Sequence, residues 1–324
     1  IMQALSGVRY LASSTVKQAV TELSIPVPWG EIRGRVWGPD HGRPVLCLHG
    51  WSDNCGSFNK LIPLLPRECR YVAVDLAGHG LSSHRPPGGF YQFPYYVMDM
   101  LRVVDALQWK RFSIIGHSMG GNVAGLFSAL YPEMVNGIVL LDSFGFLPAQ
   151  QKEISGVMRK GFDEMLQFEK KTKEEKNRVY TYESAVERLM AANTSLSEAS
   201  ARILLERGLV PVEGGFEFCR DFRINLTNIM RLSLEQGLEM QSKIKASILL
   251  ILADEGIEKM FISPTEKKTI AALLQGYKDK NHTIVNVPGD HHVHLNNAEV
   301  VAPLVSDFLR TTVLSPTDDQ SSKL

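Results

Sequence analysis

Residues 112–120 read Phe-Ser-Ile-Ile-Gly-His-Ser-Met-Gly, a short apolar run that leads straight into Gly116-His117-Ser118-Met119-Gly120. A β-compatible segment followed by Gly-x-Ser-x-Gly predicts a nucleophile elbow, a strand-to-helix turn tight enough to force its serine into strained backbone geometry. A side chain at either glycine would collide across such a turn. The turn raises the serine hydroxyl above the carboxyl end of a sheet, with the positive N-terminus of the following helix aimed at it. Gly121 and the residues Asn122-Val123-Ala124-Gly125 are small enough to let that helix lie close to the sheet.

Working outward, almost wholly apolar runs recur at 44–48, 71–74, 138–141, 248–252 and 283–287. Continuous apolarity over about five residues implies burial on both faces, as in a parallel sheet covered by helices. Apolar residues at three-and-four spacing predict helices over 58–65, 95–107, 121–130 and 298–309. Alternating residues at 23–27 and 32–36 predict a hairpin turning at Trp29-Gly30. The expected fold is α/β, with a mostly parallel, doubly wound sheet. The pattern breaks between 144 and 243, a charged and helix-prone stretch that starts after one buried strand and ends before the next. It predicts an inserted helical cap over the carboxyl edge of the sheet. The expected organisation is a core of 1–143 and 244–313, a cap of 144–243, and a polar tail of 314–324. The charge run at 170–176 reads as a solvated helix face.

The 324 residues carry 35 basic and 35 acidic side chains, and this balance argues against nucleic acid or an acidic membrane surface as partner. No run reaches the roughly 20 apolar residues that span a bilayer. The first residues lack the basic-then-apolar pattern of a secretory signal. Cys47, Cys55, Cys69 and Cys219 show no Cys-x-x-Cys pairing, which fits a reducing compartment, with Cys47 as a buried small hydrophobe. Ser322-Lys323-Leu324 is a peroxisomal import tripeptide when it stands at a free carboxyl end. It predicts a peroxisomal location with an import receptor as partner, and a cytoplasmic pool is compatible with it.

Serine needs a base to take its proton, and the base needs a carboxylate to hold its tautomer. Pro288-Gly289-Asp290-His291-His292-Val293-His294 follows the last apolar run and supplies His291 in the expected Gly-x-His context. His292 and His294 read as surface or structural residues. The three histidines also raise the question of a metal, but the serine in the other half of the site argues against zinc, and neither metal nor cofactor is expected. The oxyanion needs two backbone N–H donors. Met119, after the serine, is one, and Trp51, in the loop after Leu46-Cys47-Leu48-His49-Gly50, is the other. His49 reads as a brace for that loop.

The segments Leu48-His49-Gly50-Trp51, Asp75-Leu76-Ala77-Gly78-His79-Gly80-Leu81-Ser82, Gly116-His117-Ser118-Met119-Gly120 and Gly289-Asp290-His291 resemble the α/β-hydrolase superfamily across nearly the whole chain outside the cap. More narrowly, they resemble its serine hydrolase-like members in animals. Ser118, where other branches carry Asp, implies esters, thioesters or amides. The resemblance also implies an acid after the run at 248–252, but counting from Ala253 lands on Gly256, which has no carboxylate. Some relatives take the acid from the preceding sheet strand, here Asp142 at the end of 138–142. Asp142 is therefore the expected acid and Asp254 the alternative. Phe144, Phe146, Leu147, Phe162, Met165, Phe168 and Phe216 are available in the cap for a small lipophilic ester or thioester, either as cap core or as pocket wall. The competing readings are a lipophile-binding protein with little turnover, suggested by the missing late acid, and an acyl-CoA thioesterase, suggested by the tail.

Overall fold

The computed structural model describes residues 9–12, 20–172 and 178–315. Strands β1 (Arg9–Ala12), β2 (Thr21–Val27) and β3 (Gly30–Trp37) run antiparallel along one edge of a nine-stranded sheet. β5 (Cys69–Val74), β4 (Arg43–Leu48), β6 (Phe112–His117), β7 (Val135–Leu141), β10 (Ser247–Glu255) and β11 (Thr283–Asp290) follow in that spatial order, all parallel. The chain passes from β4 outward to β5 and then returns across β4 to β6. The order of strands thus reverses beside β6, where open sheets of this kind bind ligands at their carboxyl ends.

The apolar runs supply both faces of the sheet, because successive side chains alternate. From β4, Leu46 and Leu48 pack into one core, and Val45 and Cys47 into the other. Ile138 and Leu140 of β7 alternate with Val139 and Leu141 in the same way. One face is covered by α1 (Phe93–Ala106), α2 (Met119–Leu130), α6 (Leu234–Lys243) and α7 (Pro264–Asp279). The other lies under α9 (Ala298–Thr312), beside the short α8 (Val293–Asn296).

Two local expectations need correction. Residues 58–65 do not form an α-helix but two 3₁₀ turns, Cys55–Phe58 and Ile62–Leu64. Asn54 caps the first through Gly56 N–H, and Pro63 has no N–H with which to continue a helical ladder. The hairpin turns at Pro28-Trp29, and Gly30, at φ +145°, already belongs to β3 and pairs with Val27. α7 follows a capping box made by Ser263 and Glu266 that the sequence reading passed over.

Between β7 and β10 lie α3 (Ile154–Lys171), α4 (Tyr182–Ala192), α5 (Glu198–Gly208), the hairpin of β8 (Leu209–Val212) and β9 (Gly215–Phe218), and α6. α4 and α5 share a small apolar core of their own with Leu295. α6, still inside 144–243, packs against α2 and α7, so the chain is back on the sheet layer before residue 243. Arg207 of α5 joins the two parts. Its guanidinium is buried against Asp75 at 2.8 Å and Glu22 at 2.7 Å, and Asp75 also accepts the N–H groups of Cys55 and Leu81. Lys170 and Lys171 end α3 exposed, while 173–177 and the tripeptide Ser322-Lys323-Leu324 lie outside the described residues. No helix among the described residues is long and apolar enough to cross a membrane.

Candidate active site

Ser118 sits between β6 and α2 at φ +49°, ψ −115°, a conformation that L-residues tolerate only when the surroundings impose it. The surroundings are the flanking glycines. A Cβ on Gly120 would stand 2.1 Å from Leu48 O, and one on Gly116 would stand 2.7 Å from Gly120 O. Ser118 N–H donates to Leu141 O, and Ser143 Oγ donates to Ser118 O, which ties the elbow to β7 and the loop beyond it.

From this elbow the side chains run in one line. Ser118 Oγ lies 2.9 Å from His291 Nε2, and His291 Nδ1 lies 2.5 Å from Asp142 Oδ2. With Nδ1–H donated to the carboxylate, Nε2 is left as the acceptor for the serine proton, the arrangement that general-base activation of a hydroxyl requires. Asp142 is fixed more firmly than an ordinary strand-end residue. It is buried at φ +45°, and its two oxygens also accept N–H from Ala253 at 2.9 Å and Ile257 at 2.7 Å.

Asp254 is not brought to the imidazole. β10 continues to Glu255 with a register shift after Ala253, and the exposed Asp254 turns its carboxylate to Gly289 N–H at 2.9 Å. At Gly256, a Cβ would fall 2.3–2.6 Å from the Asp142 carboxylate atoms. The acid from β7 therefore fills the space in front of the late position, and glycine is what that position can hold.

Met119 is the first residue of α2, where helix amides have no intrahelical acceptor. Trp51 follows the β4 loop, and its indole N–H donates 2.9 Å to Ile224 O of the cap. Both residues line the cavity of about 350 Å³ that contains Ser118. Phe144, Phe146 and Leu147 line it too, whereas Phe162, Met165, Phe168 and Phe216 do not. Phe162 is half-exposed against Phe90, and Phe216 meets Tyr182 edge to face. His49 braces the β4 loop: its Nδ1–H donates to Gly50 O, and its Nε2 accepts Leu76 N–H.

The sequence reading missed a buried cluster behind His291. His292 and His294, read as surface or structural, are both buried. His294 Nε2 meets Ser57 Oγ at 2.7 Å. His292 Nε2 lies 3.1 Å from Asp53 Oδ2, and its Nδ1 lies 2.7 Å from Ser195 Oγ. His117 donates Nε2–H to His291 O at 2.8 Å, which leaves its buried Nδ1 facing Asp53 without a hydrogen-bond partner. Asp53, His117 and His292 hold donor atoms within 4.8 Å of one another, a set that could take a cation. The cluster also neutralises itself. Burial works against both charges, but the His292 cation holds the Asp53 carboxyl well below its usual range, and Asp53 raises His292. The signal for the cluster was Asp53 lying three residues beyond Gly50, but its partners are more than sixty residues away in sequence.

Four of the buried histidines, His49, His79, His117 and His294, give the fold an acid limit. Burial pulls His117 down to about 4 and His79 down to about 3, and it lowers His49 and His294 as well. Their folded pKa values lie below the unfolded value near 6.5, so the unfolded chain takes up protons first as the pH falls. The stability they contribute is complete above about pH 6.5 and drains away toward the folded pKa. For His79 and His117 alone, the loss at pH 5 is about 4 kcal/mol, a large part of an ordinary domain's stability. His292, with its raised pKa, acts oppositely: its contribution is complete below pH 6.5 and is lost as pH rises through its folded value. The expected result is a denaturation midpoint that drops steeply from pH 6.5 to 4.5; a flat profile would show that these imidazoles do not fold neutral.

Residues 43–177 match the family model described as alpha/beta hydrolase fold. The chain is 54% identical over 321 residues to the "Serine hydrolase-like protein" of Danio rerio, covering 99% of this chain and 98% of that protein. It is 39% identical over 305 residues to "Serine hydrolase-like protein 2" of Homo sapiens, covering 92% of this chain and 96% of that protein. Among solved structures, a hypothetical protein of Pseudomonas aeruginosa PAO1 matches with TM-score 0.79 at 32% identity, covering 89% of this chain and 99% of that one.

Proposed function

Because this chain belongs to the α/β-hydrolase superfamily, among its serine hydrolase-like members, it is a hydrolase, and we propose that it cleaves an ester or thioester with a small lipophilic part through an acyl-enzyme on Ser118. The observation that carries this reading is the unbroken line from Ser118 Oγ through His291 to Asp142, at 2.9 and 2.5 Å. In it, Ser118 Oγ attacks the carbonyl carbon while His291 Nε2 takes the hydroxyl proton, and Asp142 stabilises the imidazolium. The N–H groups of Met119 and Trp51 receive the oxyanion. His291 then gives its proton to the leaving alcohol or thiol. A water molecule, deprotonated by the same nitrogen, releases the acid and restores the serine.

The walls of the cavity, with Tyr96, Phe144, Phe146 and Leu226, support a lipophilic substrate part. The lipophile-binding reading rested on the missing late acid, and the contact of Asp142 with the imidazole removes that support. Labelling by a fluorophosphonate, read as a single adduct by intact mass, tests the proposal; absence of an adduct would sink it. We further propose that Ser322-Lys323-Leu324, as a free carboxyl end, addresses the protein to peroxisomes through the import receptor, an address with which a cytoplasmic pool is compatible. A fluorescent fusion at the other end should coincide with a peroxisomal marker and lose that coincidence when Leu324 is deleted.

A further inference from the structure

The cavity at Ser118 adjoins two others, of about 420 and 310 Å³, and Phe146, Leu147 and Arg231 line all three. On the walls of the Ser118 cavity and of the larger one beside it, Arg231 is the single charged side chain among the described residues. Its Nε is buried without a hydrogen-bond partner, and the guanidinium forms no ion pair among the described residues. Burial alone lowers its pKa, with no carboxylate acting against it. The two glutamates on the third cavity do not answer it: Glu266 is engaged by Ser263 N–H, and Glu153 is exposed.

The fully buried arginines of the inserted segment are paired, and Arg220, half-buried like Arg231 and likewise without an ion pair among the described residues, donates a guanidinium N–H to Ser52 Oγ. Arg207 meets Asp75 and Glu22, and Arg223 meets Asp221 at 2.6 Å. Arg231 is half-buried, and even partial desolvation of a cation without a counter-ion is costly, a cost that a ligand carrying a negative charge into the cavity offsets. A guanidinium presents a planar fork that matches two oxygens of one oxyacid group. One positive charge balances one carboxylate, whereas a phosphate monoester would leave a second negative charge in an otherwise apolar cavity.

We propose that Arg231 binds a carboxylate of the substrate, which makes the substrate an amphipathic ester or thioester with one anionic end and an apolar body. The proposal rests on the serine-hydrolase reading of the same cavity and adds the substrate's charge to it. Arg231 acts on specificity, and the bond is broken at Ser118.

The experiment compares matched esters with and without a terminal carboxylate, placed on the acyl side (mono-4-nitrophenyl glutarate against 4-nitrophenyl pentanoate) and on the alcohol side (3-carboxypropyl hexanoate against butyl hexanoate). In at least one pair the parent should favour the acidic ester. Arg231→Met should lower that preference in kcat/KM by about 30-fold, mainly through KM, as expected for losing a charge-assisted hydrogen bond. Arg231→Lys should keep part of it. Removing an unpaired, half-buried cation should leave the melting temperature of Arg231→Met unchanged or raised. No preference in the parent, a preference that survives Arg231→Met, or a melting temperature lowered in that variant would overturn the proposal. Calorimetric binding of the acidic esters to Ser118→Ala, with and without Arg231→Met, needs no turnover. If the parent neither labels nor hydrolyses any ester, the serine-hydrolase reading fails alone when Arg231→Met still weakens that binding tenfold or more. Equal binding in the two proteins overturns the carboxylate site.

Discussion

Ser118→Ala is expected to abolish the fluorophosphonate adduct and to lower kcat by a factor on the order of 10⁶, with a melting temperature close to that of the parent. The size of the effect follows from the geometry. The hydroxyl is the one group in the line that forms a covalent bond in the proposed reaction, and neither His291 nor Asp142 can take its place. What would survive is the binding cavity and the oxyanion donors, which alone leave a small residual acceleration. The hydroxyl donates one hydrogen bond to His291 and is not part of either apolar core, so its loss should cost the fold little. Its strained φ of +49° belongs to the backbone and is shared by alanine. Intact mass and a steady-state rate with one activated ester check both halves. A Ser118→Ala protein that still forms the adduct would place the reactive hydroxyl elsewhere.

Asp142→Asn should lower kcat by about 10⁴ without removing an atom from the line. Oδ1 of Asp142 accepts Ala253 N–H, and Oδ2 accepts both Ile257 N–H and His291 Nδ1–H. An amide has only one such oxygen. With its NH₂ toward His291, the amide faces the donors of both His291 and Ile257, and the imidazole must adopt the other tautomer, so that Nε2 no longer accepts the serine proton. Turned round, the NH₂ confronts Ala253 N–H in a buried site, which costs about 1–3 kcal/mol. A loss of rate, a loss of stability, or both must follow. Asp254→Asn, at an exposed residue that holds Gly289, should change kcat less than threefold. A larger effect at 254 than at 142, measured side by side, would reassign the acid.

The elbow was legible because two glycines, a serine and an apolar run constrain one another within nine residues. The strands were legible because alternate residues of each run serve opposite faces of the same sheet. The choice between Asp142 and Asp254 was not, since β7 and β10 both end at the same edge, and a one-residue shift after Ala253 decides which carboxylate turns inward. The helix expected at 58–65 failed at Pro63, where spacing suggested amphipathicity and the missing N–H forbade the ladder. Arg231 was silent in the sequence for a different reason. What sets it apart is that no carboxylate faces it, and the lack of a partner leaves no local mark.

The carboxylate of residue 142 occupies the volume that a side chain at 256 would need. The two sites are therefore coupled, since what one can hold depends on what stands at the other. While residue 142 is Asp, or the isosteric Asn, a side chain at 256 is crowded out; once residue 142 is shortened, position 256 is released. A lineage could move its acid from one strand to the other only through an intermediate with a crippled triad, or by two changes at once. Substitution at these positions is a matter of order, and a survey of single variants would score each as intolerant while missing that together they form one exchangeable unit.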